Sequence, residues 1–130
     1  MNNVVLFKTK SKIKEPHPAD DLSFMRSRKP KGTGIDYWVV EATGNYSNDY
    51  SKGKKLAVEF MRYVAENNTY GNTTLLAQIV SDMVDQAAQR PKGKAGASRL
   101  TGLEIGFLNT VGRCANAAAG VIELSRLAES

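Results

Sequence analysis

Cysteine and histidine are almost missing from this chain, which has one of each, Cys114 and His17, in 130 residues. A lone cysteine excludes a disulfide within the chain and fits a reducing compartment, so a cytoplasmic protein is expected. Zinc and related metals need several imidazole or thiolate ligands at workable spacing. No metal site and no cofactor are therefore expected. His17, in "EPHPAD", reads as a solvated loop residue, and Cys114, on the apolar side of a helix, as a small buried hydrophobe with no histidine beside it to activate it.

Long apolar runs are missing too. None reaches the roughly 18 residues that a membrane span needs. The apolar patch in "MNNVVLFKTK" is too short for a signal peptide. The sequons at Asn45, Asn67 and Asn72 are accordingly expected to stay unmodified. Catalytic groupings are equally scarce. Asp82 and Asp85 are spaced i, i+3 on a helix but off its apolar stripe, and Glu59 and Glu66 fall on the outer side of another, so both pairs read as solvated faces. "NDY" at 48–50 is helix-capping chemistry. A protein that is not an enzyme is expected.

The chain does have positive charge, and it is unevenly placed. Residues 1–34 hold eight Lys/Arg against three acids, which accounts for the whole net charge of +5, while the other 96 residues hold ten of each sign. Three of the four prolines lie in residues 8–34, where apolar periodicity is weak. Such a stretch buries too little surface to offset the entropy of ordering, and it reads as a flexible basic arm. "VVLF" at 4–7 and "LSFM" at 22–25 are its two sticky spots.

The body, residues 35–130, is expected to be a single mainly α domain of three helices with one short N-terminal strand. "IDYWVVEA", 35–42, is rich in β-formers and predicts that strand, which pairs with "VVLF" as a two-stranded ribbon, lies on the helices, or meets another subunit. The first helix is expected from Asn48 to Asn67, with Tyr46, Tyr50, Gly53, Ala57, Phe60 and Val64 on one face and a left-handed cap at Gly71 or an asparagine. The second runs from Thr73 to about Gln89 on a stripe of Leu76, Ile79, Val80, Met83, Val84 and Ala87, capped by Asn72 or Thr73. "TGLE" opens the third as a capping box from Thr101 to Glu104, and it is expected to continue to about Ala128. One side of this helix is unusually small, with Gly106, Gly112, Ala115, Ala117, Ala119 and Gly120. It suits a packing seam within the chain or a homodimer surface, and a kink near Gly112 is an open alternative.

Two binding readings compete. "RSRKPKG" (Arg26, Arg28, Lys29, Lys31) resembles basic arms that enter a DNA minor groove, although its order departs from the Arg-Gly-Arg-Pro core of AT-hooks. The loop "RPKGKAGASR" (Arg90, Lys92, Lys94, Arg99) adds further phosphate contacts, and "GTG" at 32–34 reads as a hinge, since no helix follows it. The other reading is a protein-docking surface of Trp38, Tyr46 and Tyr50, with Tyr70 nearby; core packing is the alternative for those rings.

The segments "GTGIDYWVVEATGNYSNDYSKGKKLAVEF" and "LTGLEIGFLNTVGRC" resemble small proteins of bacteriophages and prophages, in which a Trp-containing strand, a Gly-Asn/Asp-Tyr turn and a Gly-(Val/Ile)-Gly-Phe helix start recur. This chain departs from the last pattern with Glu104-Ile105-Gly106-Phe107. The resemblance brings no activity and no site residues. It implies a mobile-element setting, in which compact non-catalytic proteins inhibit host machinery or bind DNA. The leading expectation is a host-macromolecule binder, an inhibitor or adaptor of a host complex, and the second a nucleic-acid-binding accessory protein.

Overall fold

A computed structural model gives the fold and describes residues 18–29, 32–69, 71–91 and 99–129. It is mainly helical, with three helices and a short two-stranded antiparallel ribbon. A single helical turn, Pro18–Asp21, leads to β1 (Arg26–Ser27) and β2 (Ile35–Asp36). There follow α1 (Tyr46–Glu66), α2 (Asn72–Gln89), α3 (Gly102–Ala119) and a 3-10 turn, Leu124–Ala128. The "VVLF" segment, His17 and the expected flexibility of residues 1–17 lie outside the described residues.

β2 pairs with β1, in the register Arg26 to Asp36 and Ser27 to Ile35. Gly34, at φ 97°, supplies the left-handed turn that brings the strands together. The strand is shorter than the eight residues expected, because the chain beyond Asp36 is held by other partners. Tyr37 N–H donates to Asp82 Oδ2 at 2.7 Å, Val39 N–H to the Phe24 carbonyl at 2.9 Å, and Gln86 Nε2 to the Trp38 carbonyl. Asp82 therefore straps this segment to α2 and is not merely a solvated carboxylate.

The boundary between arm and body also moves. Leu22, Phe24 and Met25 are buried in the core, so the body begins well before Ile35. Glu59 latches this stretch by accepting from Ser23 N–H at 2.7 Å and Ser23 Oγ at 2.6 Å. Polar neighbours hide the segment in the sequence, but three large apolar side chains within four positions are enough to anchor it, each stabilising by roughly 1.5–3 kcal/mol when fully buried.

Asn45 caps α1 by accepting from Asn48 N–H at 3.0 Å. The helix ends at Asn67, φ −127°, and Gly71, at φ −55°, is not the left-handed cap that the sequence offers as one candidate. Its buried face is Gly53, Leu56, Ala57, Phe60 and Tyr63, while Tyr46 points outward at 56% exposure. α2 buries Leu75, Ile79, Met83 and Ala87, a stripe rotated slightly from the expected one so that Val84 is exposed. Its N-cap is Gly71, one or two positions before the asparagine or threonine expected.

The Thr101–Glu104 capping box forms as the sequence predicts. α3 passes Gly112 as continuous helix but stops at Ala119, nine residues short of the expected end. Only its first half is buried, through Leu103, Glu104 and Phe107, because the core ends there. Cys114, expected to be buried, is exposed for the same reason.

The core is an aromatic cluster around Phe107. Its ring centroid lies 5.5 Å from Phe24, 5.2 Å from Trp38 and 5.8 Å from Phe60. α1 and α3 run side by side in the same direction, joined by a glycine seam. A Cβ on Gly53 would lie 2.1 Å from the Leu103 carbonyl oxygen, and one on Gly106 would lie 2.3 Å from the Tyr50 carbonyl oxygen. The small side of the third helix is thus an intramolecular seam at Gly106, with Gly102 against Tyr46 extending it.

Candidate functional site

Below the seam, an open groove of about 780 Å³ lies between α1 and α3. Val58 and Met61 from α1 and Cys114 from α3 supply apolar and soft surface. Lys54, Lys55 and Arg62 stand on one bank and Arg113 on the other, with Glu59 the one acid among the described residues that line it. Glu59 is already engaged by Ser23. The Lys54 ammonium sits 5.9 Å from the centroid of the Tyr50 ring, within cation–π range.

This concentration of cations is invisible in the charge balance, which cancels over residues 35–130. Helix geometry undoes the cancellation. "SKGKK" at 51–55 places Lys54 and Lys55 on the groove side of α1, and the parallel packing of α3 brings Arg113 opposite. The lysine cluster was the available signal. What it lacked was the tertiary partner.

The residues expected to bind are distributed quite differently. Trp38 is fully buried, its ring packed on Phe24 and Phe107 and its indole N–H donating to Glu104 Oε2 at 2.9 Å. Its ring cannot meet a partner, and the expectation that it lines a docking surface is corrected. Tyr46 is exposed and half-buried Tyr50 is its neighbour, with ring centroids 5.8 Å apart. Asn109 Nδ2 donates to the Tyr50 hydroxyl at 3.1 Å.

In the ribbon, Arg26 and Lys29 are exposed, but Arg28 is committed. Its Nε and Nη2 both donate to Asp36 Oδ1, at 3.0 and 2.8 Å. The hydrogen bonding to Arg28 holds the Asp36 carboxyl below its ordinary value, against partial desolvation. Lys31, Tyr70, Lys92 and Lys94 lie outside the described residues. Arg90 and Arg99 flank the second basic loop, and both fasten α2 to the start of α3. Arg90 Nη1 donates to the Arg99 carbonyl and to Glu104 Oε1, each at 2.9 Å, and Arg99 Nη1 to the Ala88 carbonyl at 3.4 Å.

Glu104 is the functional-looking group that the sequence presents only as a helix cap. It is fully buried, and its carboxylate also accepts from Thr101 N–H at 2.7 Å and Thr101 Oγ1 at 3.0 Å. With Trp38 and Arg90 added, both oxygens are satisfied, which is how a buried carboxylate becomes structural. Asp49, also buried, accepts from Thr43 N–H and Oγ1 and from Gly44 N–H. Among the described residues, no three His, Cys, Asp or Glu side chains converge as a metal site, and no helix is long and apolar enough to cross a membrane.

Compared with known protein families, curated proteins and solved structures, the chain matches none. The groove and its chemistry therefore carry the functional reading.

Proposed function

We propose that this chain is a non-enzymatic binding protein of the phage or prophage type. It acts in the cytoplasm by docking a host macromolecule, as inhibitor or adaptor of a host protein complex. The observation that supports this reading is the α1–α3 groove, with apolar surface at Val58 and Met61 between banks of cations. A floor of that kind suits a protein segment with apolar anchors and acidic flanks, since a phosphodiester backbone gains nothing from it. The reading is also supported by the use made of the acids: Glu104, Asp49, Asp82 and Glu59 are all engaged in holding the fold.

The test is affinity capture from bacterial lysate with the intact protein, K54E/R113E and a distant control, V84E. A host protein retained by the wild type and V84E, and lost with K54E/R113E, supports docking in the groove. Identical capture by all three refutes it.

A second reading, nucleic-acid binding, is favoured by the exposed Arg26 and Lys29 on the ribbon. Each phosphate neutralised contributes about −0.9 to the slope of log K against log salt on duplex DNA. A gel-shift titration with random-sequence DNA decides the matter. A steep slope that flattens in R26A/K29A supports this reading, and no shift at low salt removes it.

A further inference from the structure

We propose that two copies of the chain pair through antiparallel α3 helices, each placing Val121, Ile122 and Leu124 in the other's α1–α3 groove. This rests on the docking reading and deepens it, by naming what fills the groove before a partner does.

Two uncommitted surfaces of one chain complement each other. α3 stops at Ala119, and beyond it Val121, Ile122 and Leu124 are 83%, 44% and 54% exposed. These three large aliphatic side chains, exposed within four positions, form the apolar surface that a second copy would cover. The groove offers them Val58 and Met61. The charges agree as well. The groove carries Lys54, Lys55, Arg62 and Arg113 against Glu59. Residues 121–129 carry Glu123 and Glu129 against Arg126, and the Glu123–Arg126 pair, at 3.5 Å, is largely exposed, so it is weak and readily exchanged. The lysines at 8, 10, 12 and 14 make the chain's own N-terminal segment a poor occupant, because they repeat the groove's charge.

Symmetry makes the exchange mutual. Cys114, at the groove, and Val121 are seven positions apart in the chain, and Val121 follows just past the end of α3 at Ala119. A two-fold axis midway between them, beside Ala117 and Ala118, sets Val121 of each copy against Cys114 of the other. The residues at that crossing, Ala115, Ala117, Ala118 and Ala119, are small enough to allow close approach of the two helices. Such an isologous contact closes on itself as a dimer. The alternative, a tail folded onto its own groove, does not fit the exposure of Val121.

Cys114, the chain's one cysteine, makes the arrangement testable. Val121→Cys and Ile122→Cys are oxidised in air at micromolar concentration and compared, on non-reducing gels and by peptide mass, with the wild type and with the same changes in a C114S background. A covalent dimer whose disulfide joins Cys114 to the introduced cysteine, lost in C114S, is the expected result. A monomer-mass disulfide, or no cross-link, overturns the proposal.

Light scattering and sedimentation read the same contact without chemistry. The wild type is expected as a dimer, and Val58→Glu and Leu124→Glu as folded monomers by circular dichroism. A wild type that stays monomeric, or variants that stay dimeric, also overturns it. The two readings fail separately: a wild type that is monomeric while host capture stays intact removes this inference alone, and capture unaffected by K54E/R113E removes the docking reading.

Discussion

The indole N–H of Trp38 and the carboxylate of Glu104, 66 positions apart, meet at 2.9 Å in the centre of the core. That bond ties the extended strap after the ribbon to the first turn of α3. Through Glu104 Oε1 it continues to Arg90 at the end of α2. Three separate elements thus converge on one buried carboxylate.

Glu104→Gln removes the charge that Arg90 pairs with and one acceptor of the capping box. Breaking a buried pair from one side costs about 3–5 kcal/mol, and the lower end applies here because the Arg90 side chain is 27% exposed. Trp38→Phe keeps an aromatic ring but leaves Glu104 Oε2 without its donor, at a cost of about 1–3 kcal/mol. Urea unfolding measures both. If Glu104→Gln changed the midpoint no more than a surface substitution does, the convergence would carry no stability.

The glycines divide into two groups with opposite expected outcomes. Gly53→Ala and Gly106→Ala each push a methyl into a backbone carbonyl of the neighbouring helix, so α1 and α3 must separate. A loss of about 1–3 kcal/mol is expected, outweighing the gain in helix propensity. Gly112 lies mid-helix with open space around it, so Gly112→Ala is expected to stabilise by about 0.5–1 kcal/mol. Thermal unfolding of the three variants would refute the seam if all shifted in the same direction.

Phe24→Ala tests whether residues 22–25 belong to the body. Phe24 is fully buried against Trp38 and Phe107, at 5.4 and 5.5 Å. A core phenylalanine truncated to alanine costs about 3–5 kcal/mol. A chain cut at residue 35 would lose Leu22, Phe24 and Met25 together and should fail to unfold cooperatively. A sharp, wild-type-like transition from that shortened chain would restore the arm boundary read from composition.

That boundary shows where sequence reading stops. The helices are legible because Leu76, Ile79 and Met83, or Leu103 and Phe107, recur at helical spacing, and Thr101 with Glu104 spells a cap. Phe24 carries no such periodicity, as its segment is extended and its neighbours are polar. The groove is illegible for another reason. Lys54 and Arg113 face each other only because Gly53, Gly102 and Gly106 let two helices pack in parallel, a pairing that local pattern does not encode. Cys114 lies on the regular apolar stripe yet is exposed, because such a stripe says which side of a helix could be buried, not where the core ends.

Asp49 sets a pH dependence. Its carboxyl is held below the ordinary value of 3.8, first by the backbone N–H of Thr43 and further by the Thr43 hydroxyl, the Gly44 N–H and the charge of Lys52, while desolvation opposes them. A carboxylate with a depressed folded pKa contributes stability that is fully present above its unfolded value. That contribution is lost as pH falls through the folded value. The window is therefore below about pH 4, not near neutrality. Asp49→Asn is expected to lower the melting temperature at pH 7 and to leave a smaller difference from the wild type toward pH 2, because the wild type gives up its advantage there. Asp36 is displaced in the same direction by Arg28, but both side chains are substantially exposed, 32% and 56%, so solvent screens the pair. Asp36→Asn should change the acid limb of the curve much less. Parallel melting curves for the wild type and Asp49→Asn across the acid range would show that the Thr43–Gly44 turn does not hold the carboxylate as described.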